Sequence, residues 1–139
     1  MKIYFAGSIR GGRQDAALYG EMIDYMEARG CRVLTEHVGH PELNLLERGR
    51  DRDGEIYAQD TAWLLESELL IAECTNPSLG VGYELAYAER FGKPCYLFYN
   101  QTKTQLSAML TGDPYFHIYP YQTENELFSM LEELIAGFE

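Results

Sequence analysis

Two carboxylates, one tyrosine and two glycine-bearing turns are the residues of this 139-residue chain whose types and spacing could do chemistry. Glu84 follows Asn76-Pro77-Ser78-Leu79-Gly80-Val81-Gly82-Tyr83, a Gly/Ser turn that opens a helix. The helix dipole near that start favours an ionised carboxylate, which suits a nucleophile. A solvent-facing glutamate that stabilises a helix start would fit the same position. Asp60 weighs against this second reading. It falls four residues after Ile56 and three before Trp63, on the helix face that Ile56, Trp63 and Ser67 define. A carboxylate on a sheet-packing face is costly unless it is paired or working. It is either bonded to backbone amides or joined with Glu84 as the acid and nucleophile of a glycosidic-bond reaction. Tyr4 lies mid-strand, where its hydroxyl could bond a carboxylate or its ring simply fill the core.

The other turn, Gly7-Ser8-Ile9-Arg10-Gly11-Gly12-Arg13, joins a strand to a helix. Glycines bring backbone N–H groups close to a ligand, and the helix N-terminus adds partial positive charge. Ser8 adds a hydroxyl, and Arg10 and Arg13 add charge-assisted bonds, so the turn reads as a phosphate cradle. A flexible turn with solvated arginines is the alternative. The stretch lacks the GxxxxGK[ST] pattern of a P-loop. The GxG at Gly80–Gly82 has Leu85 where a dinucleotide fingerprint needs a third glycine, which argues against NAD. His37 could line the pocket, or be an ordinary loop histidine. With His40 it lacks a third ligand at useful spacing, so no metal site and no cofactor are expected.

These residues need a scaffold that brings them together. Strands are predicted at Lys2–Ala6, Cys31–Thr35, Leu69–Glu73, Pro94–Tyr99 and Phe116–Tyr121. Helices are predicted at about Asp15–Arg29, Gly54–Glu66, Val81–Phe91, Thr104–Leu110 and Glu124–Phe138, the last with a Thr123/Glu126 capping box. The stretch Gly39–Asp53, with Arg48, Arg50 and Arg52, reads as a loop or lid. Strict alternation implies an α/β fold: a doubly wound, five-stranded parallel sheet with helices on both faces, flavodoxin- or Rossmann-like. Such folds bind ligands outside the carboxyl ends of the strands, where both glycine turns fall. At this length, residues 1–139 are expected to form one domain.

Composition narrows the partners. Acidic residues number 22 against 11 basic ones, a net charge of -11, which disfavours nucleic-acid polymers and anionic membranes. A small anion held by a few local arginines remains compatible. No apolar run reaches the ~18–20 residues of a membrane span. No leader is evident, so the cytoplasm is expected, with the nucleus possible in a eukaryote. Cys31, Cys74 and Cys95 read as reduced core thiols. The eleven tyrosines exceed the needs of a core this small; some could stack on a base, others serve core or interface.

Taken in order, the blocks from Tyr4 to Arg13, Leu34 to Val38, Asp60 with Trp63-Leu64, Pro77 to Glu84, Gly92-Lys93-Pro94 and Leu106 to Met109 resemble one family. It is the 2′-deoxynucleoside 5′-monophosphate N-glycosidases of the Rcl type, within the nucleoside 2-deoxyribosyltransferase superfamily. The resemblance runs from residue 3 to about residue 135. It implies a homodimer that cleaves the bond between base and deoxyribose of a deoxynucleotide. Glu84 matches the nucleophile, Asp60 the acid and Tyr4 the hydroxyl that orients the nucleophile. Ser8, Arg10, Ser78 and Gly80, with backbone groups of Gly7 and Ile9, match 5′-phosphate contacts. Ser107 matches a serine that completes the neighbouring subunit's phosphate site. Rival expectations are a transferase exchanging bases between deoxynucleosides, a glycosidase of ribonucleoside monophosphates, and a catalytically silent nucleotide sensor.

Overall fold

The last helix illustrates how sequence dictates structure here. Its apolar positions recur every three or four residues, so Leu127, Leu131 and Ile135 are buried along one stripe. Thr123 accepts from the Glu126 N–H, and the Glu126 side chain accepts from the Thr123 N–H, closing the expected capping box. The computed structural model describes residues 1–8, 15–35 and 52–138. Along them run β1 (Lys2–Ala6), α1 (Ala16–Ala28), β2 (Arg32–Val33), α2 (Asp53–Glu66), β3 (Leu69–Glu73), α3 (Leu79–Arg90), β4 (Cys95–Asn100), α4 (Ala108–Thr111), β5 (His117–Tyr121) and α5 (Glu124–Ala136). Gly30, at φ 86°, ends the α1 turn in the left-handed conformation that glycine takes without strain.

The strands form a five-stranded sheet in the order β2-β1-β3-β4-β5, every pairing parallel. Central β3 is buried along its whole length, as a strand covered on both faces must be. Ile3, Phe5, Leu69 and Ile71 pack under Tyr19, Met22 and Met26 of α1 and Leu127 and Leu131 of α5. Tyr4, Ala6, Leu70 and Ala72 face Leu64 of α2 and Val81, Leu85 and Ala88 of α3. The chain winds outward from β1 to β2, then crosses back to β3, so the switch point lies between β1 and β3.

Two predicted elements are shorter than expected. The second strand stops at Val33 rather than Thr35. The Thr35 side chain takes over the edge of β1: its Oγ1 accepts from the Phe5 N–H at 2.9 Å and donates to the Phe5 carbonyl at 2.7 Å. A side chain that replaces ladder bonds ends the strand. The fourth helix is a single turn, Ala108–Thr111, not a helix from Thr104. Ser107 caps it, accepting from the Met109 N–H, and the chain before it is not helical. The expected 39–53 loop falls mostly outside the described residues; Arg52 caps α2 and pairs with Glu55 at 2.8 Å. None of the described helices is long and apolar enough to cross a membrane.

Candidate active site

Helices that cross back between parallel strands run antiparallel to them, so the first halves of α2 and α3 lie over the strands' carboxyl ends. Glu84 sits in the second turn of α3 and is half-buried. Tyr4 points from mid-β1 to the same face and is almost wholly buried. Its hydroxyl donates to Glu84 Oε2. One carboxylate oxygen is thereby fixed in place.

Asp60 is half-buried on α2, one turn before Leu64, the buried residue through which that helix meets the core. Trp63 packs against the same core and Ser67 is buried, while Ile56 and Asp60 are half-buried beside them on the expected face. The Tyr57 and Tyr83 rings meet edge-on with centroids 6.3 Å apart. This contact joins α2 to α3 three residues before Asp60 and one before Glu84.

Gly7 and Ser8 follow β1, and Ser78 and Gly80 open α3 after β3, so these expected phosphate contacts flank the switch point. Gly7 follows β1 closely against Tyr19: a Cβ there would meet the tyrosine ring at 2.7 to 2.9 Å, so glycine is required by close approach. Ser8 is fully buried, and its N–H donates to the Tyr19 hydroxyl at 3.1 Å. Ser8 Oγ has no hydrogen-bond partner among the described residues. A buried hydroxyl in that condition is costly unless a ligand meets it. Ser78 is the N-cap of α3, accepting from the Val81 N–H at 3.2 Å, and Gly80 lies in the first turn. The helix therefore starts at Leu79, two residues before the predicted position, and its unpaired N–H groups face the same edge. Ser107 is exposed at the start of α4. Ile9, Arg10, Gly11, Gly12, Arg13 and His37 lie outside the described residues, as does His40.

Sequence reasoning passed over Glu73. This carboxylate ends β3 and is fully buried. It accepts from the Thr75 N–H at 3.0 Å, the Thr75 hydroxyl at 2.6 Å and the Tyr121 hydroxyl at 2.5 Å. Burial pushes its pKa up, against the pull of those donors. Thr75 Oγ1 also accepts from the Asn100 N–H at 2.8 Å, so the ends of β3, β4 and β5 are tied through Thr75 and the Glu73 carboxyl. The available signal was a charge closing an otherwise apolar strand, Leu-Leu-Ile-Ala-Glu. Among the cysteines, Cys74 and Cys95 are buried and Cys31 is partly exposed.

A doubly wound parallel sheet with a tyrosine-held glutamate on its α2/α3 face is the frame of this site. The chain belongs to the nucleoside 2-deoxyribosyltransferase family, whose model matches residues 3–133. It is 39% identical over 137 residues to the putative 2′-deoxynucleoside 5′-phosphate N-hydrolase 1 of Syntrophotalea carbinolica, covering 98% of this chain and 95% of the relative. It is 43% identical over 141 residues to the 5-hydroxymethyl-dUMP N-hydrolase of Rattus norvegicus, covering 98% and 85%. The solved structure of a CMP N-glycosidase from Clostridium botulinum superposes with a TM-score of 0.67 at 18% identity, covering 95% of this chain and 99% of that one. At that identity the likeness speaks for the fold.

Proposed function

We propose that this protein hydrolyses the N-glycosidic bond of 2′-deoxynucleoside 5′-monophosphates, releasing free base and 2-deoxyribose 5-phosphate. The observation that carries the reading is the Tyr4 hydroxyl on Glu84, and the buried Ser8 hydroxyl without a partner among the described residues supports it. The relatives named as deoxynucleoside 5′-phosphate N-hydrolases, matched over nearly the whole chain, support the same substrate class.

In this mechanism the 5′-phosphate docks on Ser8, Arg10 and backbone N–H groups of the first glycine turn, and on Ser78 and Gly80 at the start of α3. The Glu84 carboxylate then attacks C1′ while the bond to the base breaks, its electron pair leaving with the base nitrogen. The transition state resembles an oxocarbenium ion, which the absent 2′-hydroxyl makes easier to reach. Asp60, directly or through a water, supplies the proton that the departing base takes up. Water then attacks C1′, returns its proton to Asp60 and frees the Glu84 carboxylate. Tyr4 keeps the Glu84 side chain aimed at C1′.

The site is completed in a homodimer, Ser107 of one copy reaching the phosphate held by the other. Large apolar side chains stand exposed beside the relevant residues: Leu79 at 97%, next to Ser78, and Met109 at 80%, two residues from Ser107. Tyr83, Tyr87 and Phe91 form a partly exposed ladder along α3, with ring centroids 6.3 and 4.8 Å apart. A contiguous apolar stripe of this kind suits burial against a second copy.

The test is a panel of deoxynucleoside monophosphates, ribonucleoside monophosphates, and deoxynucleosides offered with a free acceptor base. Free base and 2-deoxyribose 5-phosphate from the first set alone support the proposal. Base exchange without sugar phosphate would favour a transferase, and equal turnover of ribonucleotides would overturn the deoxy preference.

A further inference from the structure

Two buried side-chain polar atoms lack a hydrogen-bond partner among the described residues, Ser8 Oγ and Asn76 Nδ2. Both lie just past the carboxyl ends of neighbouring strands. Ala6 of β1 pairs in register with Ala72 of β3; Ser8 stands two residues beyond the first and Asn76 four beyond the second. Chance placement would scatter such atoms through the molecule. Both carry donor hydrogens, and Ser78, the cap of α3, follows Asn76 by two residues.

Asn76 is held from both sides. Thr75 before it is tied to Glu73 through its N–H and its hydroxyl, and to the Asn100 N–H through the same oxygen. Pro77 after it has a fixed φ and drives the preceding residue to extended backbone. The backbone of Asn76 is thereby fixed, and although the residue is only half-buried its amide nitrogen is covered. A buried N–H left unmet is costly, and such atoms in folded proteins are normally satisfied by protein, water or ligand.

We infer that Asn76 is a substrate-binding residue whose side-chain amide donates to a 5′-phosphate oxygen, alongside Ser8 and the start of α3. The inference rests on the proposed monophosphate substrate and adds a neutral donor to a phosphate site otherwise assigned to hydroxyls, backbone and arginine. A neutral donor would discriminate against carboxylates only weakly, but a negative charge at this position would repel the phosphate directly.

Asn76→Asp, which keeps the shape and exchanges the donor for a charged acceptor, is the variant to compare with wild type, with Asn76→Ala beside it. The expected result is a KM for the deoxynucleoside monophosphate raised at least ~10-fold in Asn76→Asp, with kcat little changed. The KM for the matching deoxynucleoside should move less than ~2-fold, and inhibition by inorganic phosphate should weaken in step with the monophosphate KM. Equal effects on nucleotide and nucleoside would mean a structural role and overturn the inference, as would unchanged KM. Melting in inorganic phosphate separates this from failure of the proposed reaction. Should wild type release no base from any monophosphate, a phosphate-induced rise in melting temperature that Asn76→Asp loses still supports the assignment. Equal rises, or none in either protein, overturn it.

Discussion

The hydroxyl of Tyr4 donates to Glu84 Oε2 across 80 positions of sequence, from mid-β1 to the second turn of α3. The strand contributes rigidity because Tyr4 is 1% exposed and packed among Ala6, Leu70 and Leu85. The helix contributes reach, carrying the carboxylate from the sheet face toward the switch point. The hydrogen bond to a carboxylate fixes where the Glu84 side chain sits relative to the sheet.

Tyr4→Phe should therefore keep the fold and lower kcat about 10- to 100-fold, the worth of a hydrogen bond to a charged partner. KM for the monophosphate should change much less. Steady-state kinetics with melting curves check this; unchanged kcat in a folded variant would remove Tyr4 from the mechanism.

Gly7 and Gly54 should respond in opposite ways to alanine. A Cβ at Gly7 drives into the Tyr19 ring at 2.7 to 2.9 Å, so Gly7→Ala should lose about 1–3 kcal/mol. A Cβ at Gly54, at the start of α2, meets nothing within 4 Å, so Gly54→Ala should be neutral or gain up to ~1 kcal/mol. Thermal melts without nucleotide measure both, and equal losses would contradict the packing described.

Glu73 predicts a pH dependence of stability. Burial, ahead of its three hydrogen bonds, raises the carboxyl above its ordinary 4.5. Over the interval between that value and the raised one, the folded protein binds more protons than the unfolded chain. Stability therefore falls as pH rises through the interval. Glu73→Gln carries no charge to bury. The melting temperature of Glu73→Gln minus that of wild type should grow more positive as pH climbs from ~4 to ~7. A difference that stays flat, or shrinks, would mean the three donors outweigh burial.

The proposed dimer makes a complementation experiment possible. Ser107→Ala should raise KM for the monophosphate by about 10-fold, as loss of a phosphate contact does. An excess of inactive Glu84→Ala subunits supplies intact Ser107 in trans. Mixed with Ser107→Ala protein, it should return KM toward the wild-type value at sites that still hold Glu84. No change after subunit exchange would place Ser107 outside the neighbour's site.

The sequence made the periodic parts of this fold legible. β1 and β3 run where their apolar stretches run, and α5 where its stripe and capping box place it, because those signals are local. The ends of β2 and α4 were not legible, since each depends on one side chain. Thr35 displaces ladder bonds of β1, and Ser107 starts a single turn rather than extending a longer helix. Glu84 and Tyr4 could be suspected from residue type and position, but their contact joins elements far apart in the chain. Glu73 went unread because its partners, Thr75 and Tyr121, converge only once β3 and β5 are placed in one sheet. Asn76 lies in a turn, and only the burial of its amide nitrogen sets it apart from the polar residues of any loop.

Mass spectrometry of the protein, acid-quenched during turnover of a deoxynucleoside monophosphate, tests the covalent role of Glu84 most directly. The account predicts a deoxyribose 5-phosphate adduct on the peptide containing Glu84, absent from Glu84→Ala, together with at least ~100-fold loss of rate in that variant. Wild-type turnover in Glu84→Ala, or an adduct on another residue, would contradict it.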